Sequence, residues 1–465
     1  MRRHEGGQGA RRWRLTALLG VGAAALAVAL ALLSTLAGRD HTARGPSPGP
    51  VPVAGRPGVG WGLTHTEHSA DEGAPAARAR VERLLRARPM PQNEAIMGWG
   101  AGNPEPAPGR YDFAAMDSRM ELIRGSGGTP VITLCCAPDW MKGGRPGAEN
   151  TDWSRANLEK APLPAHYQDF ADLAAAIARH YPFVRHFIVW NEFKGFWDEE
   201  RGRWDHEGYT KLYNRVYRAL KKVDEDIRVG GPYLGMDSAG PGRTDGGAAD
   251  GAEGAWGRLD QRVVDAFDYW NAHKAGADFV VVDGATYPAG GEPRPDAFAA
   301  TDKFTDVSEW IRRRTGGLPL WWAEYYVEPA GADGVREGWS EQHRVAVQAA
   351  GLIALAKGGV TSAFHWNPET RTGRSCAGCM WRPTGRASGG GPLPMYGLVA
   401  GFQEEFGPGT RFRSVAVAKA DEARVRVLAD DEAVLLVNTL DRPIDAEVDG
   451  RMFRLQGYEV KWLRR

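Results

Sequence analysis

The stretch FIVWNE, residues 187–192, is a short apolar run that ends in an amide and a carboxylate. A second stretch, LWWAE at 320–324, repeats the pattern. Six further apolar runs of similar length complete a series, and helical periodicity fills the intervals, for example at 166–180 and 209–223. The eight runs cover residues 60–63, 95–99, 130–134, 187–190, 227–230, 278–282, 320–323 and 361–366.

Strands that alternate with helices and are almost continuously apolar indicate a parallel sheet covered on both faces. Eight such units predict an α/β fold, a (β/α)₈ TIM barrel. Trp61 and Trp366 are 305 residues apart over seven units, about 44 residues per unit, which suits a barrel with loop insertions. A doubly wound open sheet is the alternative, but no Gly-x-Gly-x-x-Gly or Walker-type loop follows the first run.

The pattern changes after residue 405, so the barrel domain is predicted to cover 60–405. Short alternating runs at 424–428, 433–437 and 458–463 predict a small antiparallel β domain over 406–465. This domain is either a carbohydrate-binding module or an accessory that packs on the barrel. Its single tryptophan, Trp462, favours the accessory.

The N-terminus predicts a membrane-targeting segment. Residues 15–38 are 24 positions without a charge, preceded by five arginines. This length favours a membrane anchor over residues 1–38, although the small residues at 35–37 leave cleavage as a secretory signal open. The arginines predict a cytoplasmic N-terminus, so the rest of the chain is expected outside the cell membrane. A Pro/Gly-rich linker over 39–59 would hold the barrel clear of the membrane.

The charge balance excludes one class of partner. The 465 residues contain 58 Lys+Arg and 58 Asp+Glu, a net charge of zero, which is unlike a nucleic-acid-binding protein. The composition, with 43% hydrophobic and 25% charged residues, is typical of a globular protein.

Glu192 and Glu324 each follow an apolar run, where a parallel barrel carries its chemistry. A carboxylate beside buried residues is costly unless it is paired or used, and partial burial raises its pKa. The two belong to strands four and seven, so they are expected to face each other across the barrel mouth. Two facing carboxylates are the arrangement that glycosidic hydrolysis requires, whereas rim ion pairs with Arg or Lys are the structural alternative.

With these residues the sequence resembles glycoside hydrolase clan A, and most closely family 39, over about residues 60–400. The resemblance implies that Glu192 is the general acid/base and Glu324 the nucleophile of a retaining enzyme. It also implies that Asn191 binds the sugar 2-hydroxyl and that Trp366 forms the floor beneath that sugar. The stretches PAPGRYDF at 106–113, PDW at 138–140 and VGGP at 229–232 are similar to the family as well.

Two departures from the family concern the site itself. Strand six ends in Asp283-Gly284-Ala285 where the family commonly has His-x-Tyr, so Tyr287 or Tyr325 is expected to replace the tyrosine that holds the nucleophile ionised. Strand four continues into Phe193-Lys194 where the family has Pro after the Glu, which is expected to change contacts to the leaving group.

Aromatic side chains that follow strands are candidates for stacking on sugar rings. We predict Trp140 and Trp366 in this role, with Trp197 and Trp204 on the leaving-group side. His65, after the first strand, is expected to donate to a sugar hydroxyl, as His365 could, although a lone histidine is more often structural.

The four cysteines fall into two pairs, Cys135-Cys136 and Cys376-x-x-Cys379. No second CxxC and no finger-like His spacing accompanies them, so neither a metal site nor a cofactor is predicted. One or two structural disulfides are expected, with a cross-link between the pairs as one option. Thiol redox activity at Cys376 and Cys379 is a further alternative.

The sequence thus predicts an extracytoplasmic retaining glycoside hydrolase that acts on an oligo- or polysaccharide by double displacement. The alternative is a membrane-tethered polysaccharide-binding protein of the same fold with little or no turnover.

Overall fold

The computed structural model describes residues 58–239, 250–288, 291–329, 338–371 and 376–464. The predicted anchor, 1–38, and the linker up to residue 57 lie outside these ranges. Within them, no helix is both long and apolar enough to cross a membrane.

Eight parallel strands close into a barrel in which each strand pairs with its neighbours along the chain and the first pairs with the last, which confirms the predicted TIM barrel. The strand ends gather Asn191, Glu192 and Glu324 at one mouth, because all eight strands run the same way. The strands are β1 Gly60–Thr64, β2 Pro91–Ala95, β3 Thr129–Leu134, β4 His186–Val189, β5 Arg228–Gly235, β6 Phe279–Asp283, β7 Leu320–Trp322 and β8 Ser362–Trp366.

A helix follows each strand on the outside of the barrel. The fourth helix, α4, shows why these segments are helical: Asp205 caps its first turn by accepting from Gly208 N at 3.0 Å, and a stripe of buried apolar residues faces the strands. The helices are α1 Pro75–Ala87, α2 Ala114–Gly125, α3 Tyr167–His180, α4 His206–Val223, α5 Gln261–His273, α6 Asp302–Arg314, α7 Glu341–Lys357 and α8 Pro394–Glu405.

The interior of the barrel is filled by side chains from alternate strand positions, including Val131, Ile188, Val281 and Trp321. Phe279 and Trp321 stack there with ring centroids 3.9 Å apart. The interior of the barrel is therefore a packed core.

The position predicted for the second strand was wrong. The apolar run 95–99 begins where β2 ends, and β2 itself contains three buried polar residues. Each finds a partner: Gln92 bonds His65, Asn93 bonds Thr64 and Thr133, and Glu94 pairs with Arg119. Hydrogen bonds offset the cost of burying these polar side chains, so the strand does not need to be apolar and a search for apolar runs misses it.

The C-terminal region forms the predicted antiparallel β structure. A sheet of order β9-β10-β13 comprises Val425–Ala429, Ala433–Asn438 and Val460–Arg464, beside a ribbon of β11 Ile444–Val448 and β12 Arg451–Leu455 that was not predicted. Trp462 packs on the last barrel helix, with its ring 6.3 Å from Phe402 and 5.3 Å from Phe406. The one tryptophan of this region therefore packs against the barrel, and the accessory role stays a prediction.

Candidate active site

The segment after β4 presents Glu192 through an unusual backbone. Trp190, Glu192 and Phe193 have φ of 69°, 49° and 52°, in the left-handed region that side chains other than glycine rarely adopt. The indole of Trp190 is fully buried and donates to the Lys194 carbonyl at 2.8 Å. The Tyr209 hydroxyl donates to the Val189 carbonyl at 2.9 Å. Strain held in place by buried hydrogen bonds is typical of functional sites.

Glu324, two residues after the end of β7, is buried and bonded to two tyrosines. Tyr233 from β5 donates to Oε1 at 2.6 Å, and Tyr326 donates to Oε2. Burial and the neighbouring charge of Glu192 raise the pKa of Glu324 to about 7, although Lys194 and the two hydroxyls act in the opposite direction. These tyrosines fix the orientation of a carboxyl group that titrates near neutral pH.

The expectation that Tyr287 or Tyr325 supports this carboxylate was wrong. Tyr287 donates to the Glu328 carbonyl oxygen at 3.1 Å, and Tyr325 is buried beside Gln348. Tyr233 was missed because it lies inside a strand, after the family-like VGGP stretch. Its contact with Glu324 results from the barrel, which brings β5 and β7 to the same mouth. Tyr326 could have been proposed from the sequence, because it follows Glu324 by two residues.

Glu192 is paired with Lys194 and hydrogen-bonded to Asp283. Its carboxylate forms an ion pair with Lys194 and a hydrogen bond with Asp283, the last residue of β6. Burial would raise the pKa of Glu192, but Lys194 and these hydrogen bonds outweigh it and the pKa is lowered. Burial and the charge of Glu192 raise the pKa of Asp283 well above its usual range, so Asp283 carries the proton that this contact requires.

A cavity of about 380 Å³ opens beside Glu192. Lys194, Asp237 and Asp283 line it together with the two tryptophans of a short ribbon, Trp197 and Trp204, whose rings meet edge to face at 5.2 Å. The predicted leaving-group tryptophans therefore lie in the same cavity as Glu192.

Asn191 and Trp366 also lie at this mouth of the barrel. Asn191 is 5% exposed, and its Oδ1 is buried without a hydrogen-bond partner among the described residues. A buried polar atom without a partner is costly, and a sugar hydroxyl would reach this oxygen only after the side chain turned toward the cavity. Trp366 is half-buried at the end of β8.

Two predicted sugar contacts lie in the protein interior instead. His65 is 1% exposed, and its ring nitrogens bond Ser69 Oγ at 2.6 Å and Gln92 Oε1 at 2.9 Å, which leaves no group for a sugar. Trp140 is 8% exposed and donates to the Glu105 carbonyl at 2.9 Å. His365 bonds Gln348 and the Gly378 carbonyl, so it too has protein partners.

The cysteine pairs differ. Cys376 and Cys379 form a disulfide, whereas Cys135 and Cys136 are buried free thiols, so the suggested cross-link between the pairs is absent. Within the ranges that the structure describes, no group of three or more His, Cys, Asp or Glu could hold a metal ion.

Comparison with known proteins locates the sequence similarity in the middle of the barrel. Residues 105–242 match the family described as Glycosyl hydrolases family 39, a range that includes Asn191, Glu192 and Tyr233 but ends before Glu324. A β-xylosidase of Caldicellulosiruptor saccharolyticus is 30% identical over 138 residues, 28% of this chain and 26% of that protein. The chain thus matches about a quarter of the length of this curated relative.

Solved structures share the fold over most of the chain. A family 39 glycoside hydrolase from Bacteroides cellulosilyticus WH2 has a TM-score of 0.53 at 15% identity, covering 88% of this chain and 79% of that one. A monomeric β-xylosidase from Caulobacter crescentus CB15 has a TM-score of 0.50 at 17% identity, covering 83% and 75%. The matches confirm that this chain is similar to family 39 of glycoside hydrolase clan A.

Proposed function

We propose that the protein is a retaining glycoside hydrolase that cleaves an oligo- or polysaccharide by double displacement. The observation that carries the proposal is the meeting of Glu192 and Glu324 at one barrel mouth, close enough for each charge to act on the other and on Lys194. The cavity with two tryptophans beside Glu192 supports a sugar ligand. The relatives named above include β-xylosidases, so aryl β-xylosides are the first substrates to test.

In the first step, Glu324 attacks the anomeric carbon as a carboxylate while Glu192 gives its proton to the departing oxygen. The glycosidic C–O bond breaks, a sugar–Glu324 ester forms and the leaving group departs as an alcohol. In the second step, Glu192 takes a proton from water, whose oxygen attacks the anomeric carbon and releases Glu324. Asn191 Oδ1 would accept from a sugar hydroxyl, and Trp366 would pack on the ring.

This mechanism requires a proton to be redistributed. In the unliganded site Lys194 favours ionised Glu192, whereas burial and charge favour protonated Glu324. The reaction needs the opposite arrangement, so the active form is a minor protonation state of a coupled pair. Tyr233 and Tyr326 stabilise the ionised Glu324 that this form contains.

Trapping the intermediate tests the proposal. A 2-fluoro glycoside of a sugar that the protein hydrolyses should form an adduct whose peptide contains residues 321–326. NMR of the first-formed product should show retained anomeric configuration. An inverted product, or a label on another peptide, would refute double displacement at Glu324.

A polysaccharide-binding protein with little turnover is the second candidate. The ion pair between Lys194 and Glu192 favours it, because a lysine that keeps Glu192 ionised opposes its use as an acid. Binding of oligosaccharides without hydrolysis of even activated aryl glycosides would support this alternative.

We also propose that the chain works outside the cell membrane, tethered by residues 1–38. The support is the uncharged segment at 15–38 and the arginines before it. The full chain should fractionate with membranes, and a chain that lacks residues 1–40 should not. A mature N-terminus near Gly38 in culture supernatant would replace the anchor with a cleaved signal.

A further inference from the structure

A basic groove lies on the outer surface of the barrel between α3 and α4. Its volume is about 930 Å³, and it shares no lining residue with the cavity beside Glu192. We define the basic groove by its cations, Arg179 from α3 and Lys211, Arg215, Arg218 and Lys222 from α4.

The four cations of α4 form a single stripe. Their spacings of four, three and four residues place them on one face of the helix, in a row about 16 Å long. All four are exposed. Like charges at these spacings destabilise a helix, so the stripe is unfavourable for the isolated fold.

The fold does not neutralise this stripe. Asp172 is the one carboxylate among the residues that line the groove, and its Oδ1 accepts from Gln168 at 3.0 Å. Gln168 in turn accepts from Arg215 at 3.0 Å. Across the described ranges, no carboxylate forms an ion pair with the four α4 cations, whereas Lys221 on the adjacent face pairs with Asp278 at 2.8 Å.

We propose that the basic groove binds a linear acidic polysaccharide that carries carboxylates along its chain. A polymer with regularly repeated negative charge matches a straight row of cations, and guanidinium groups bind carboxylates in a bidentate manner. The groove is a concave channel between two helices, a shape that holds a chain better than a flat membrane surface. The site would retain the polymer on the enzyme independently of hydrolysis.

Binding of polygalacturonate by the full chain tests the proposal, with the methyl-esterified polymer as the uncharged control. Replacing Arg215, Arg218 and Lys222 with Gln should weaken polygalacturonate binding by roughly tenfold or more. A matched variant, Arg78→Gln/Arg83→Gln/Arg86→Gln on α1, removes the same number of exposed arginine or lysine charges and should bind within about twofold of the unmodified chain. Raised salt should weaken binding of the unmodified chain.

Four results would overturn the proposal: no binding of polygalacturonate at low salt, equal binding of the methyl-esterified polymer, equal loss in both variants, or tighter binding of phosphatidylglycerol vesicles or single-stranded DNA. Turnover of a small aryl glycoside should be equal in all three proteins, since such a substrate does not reach the groove. That assay reports on folding and on the catalytic proposal separately from the groove.

Discussion

Two parts of the barrel bury carboxylates, and they differ in how the charge is balanced. On β2, Glu94 is 1% exposed and pairs with Arg119 at 2.5 Å, while Asp71 pairs with the same guanidinium at 2.9 Å. At the ends of β4, β6 and β7, Glu192 pairs with Lys194 and bonds Asp283, and Glu324 lies near enough for its charge to act on Lys194. In the first cluster two carboxylates share one guanidinium, whereas in the second Lys194 pairs with Glu192 and Asp283 adds a carboxyl group that burial and the charge of Glu192 keep protonated.

The balance decides what each cluster can do. Burial raises the pKa of Glu94 to about 8, higher than that of Glu324, so the pKa does not separate the two clusters; what does is the 2.5 Å contact of Glu94 with Arg119, whose own pKa the two carboxylates raise against burial. In the second cluster, Asp283 holds a proton in its contact with Glu192, and the pKa of Glu324 is about 7. A compensated pair supports structure, whereas carboxyl groups that compete for protons are suited to acid–base chemistry.

The largest difference is expected when each cluster loses a carboxylate. Glu324→Ala should lower kcat by roughly 10⁴-fold or more, because the proposed double displacement proceeds through a sugar ester on Glu324. Glu94→Gln should retain kcat per folded molecule. Steady-state kinetics on an aryl glycoside, with folding checked by circular dichroism, compare the two. Similar losses of kcat in both variants would contradict the division of roles.

The next effect concerns proton transfer by Glu192. Glu192→Gln should lower turnover of substrates with poor leaving groups by roughly 10²- to 10⁴-fold, since the departing oxygen is no longer protonated. Activated aryl glycosides need less protonation and should lose less in the first step. Leaving-group dependence of kcat/KM measures this, and an equal loss across the series would argue against the assigned role.

Loss of the cation from the cluster of Asp71, Glu94 and Arg119 should change the stability of the fold and not its activity. Arg119→Met leaves two buried carboxylates without their cation and should lower the free energy of unfolding by about 3–5 kcal/mol. Urea denaturation with activity measured in parallel separates the effects. A variant of unchanged stability would show that the ion pairs contribute nothing net.

The contrast also shows what sequence could predict. Apolar runs fix the barrel because a strand buried on both faces must be apolar, and both glutamates were found since they follow such runs. β2 was missed because its burial depends on partners from β1, β3 and α2. Tyr233 and Asp283 were not assigned to the site for the same reason: their contacts with Glu324 and Glu192 cross the barrel mouth, and no pattern local to either residue records them.

A smaller effect is expected on the pH dependence of stability. The folded pKa of Glu324, about 7, is above its ordinary value of 4.5, so the folded state binds more protons than the unfolded state between these values. The contribution of Glu324 to the stability of the folded state should therefore fall as pH rises from about 4.5 to about 7. Glu324→Gln should remove this loss and gain up to about 3 kcal/mol relative to the unmodified chain at pH 8. Denaturation midpoints at pH 5 and pH 8 test this; an equal difference at both would refute it.

The smallest expected effect is a displacement of the pH–activity profile by Lys194→Met. Lys194 lowers the pKa of both Glu192 and Glu324, so its removal should raise both values. An enzyme that needs one ionised and one protonated carboxyl group is expected to show a bell-shaped pH profile of kcat/KM. The acidic limb reports the group that must be ionised, and the basic limb reports the group that must be protonated. Both limbs should therefore move to higher pH, whichever carboxyl group each limb reports.

Lys194→Arg keeps the charge and should leave the profile close to that of the unmodified chain. If Lys194→Met moved only one limb, or moved either to lower pH, the lysine would not be the cation that these two carboxyl groups share.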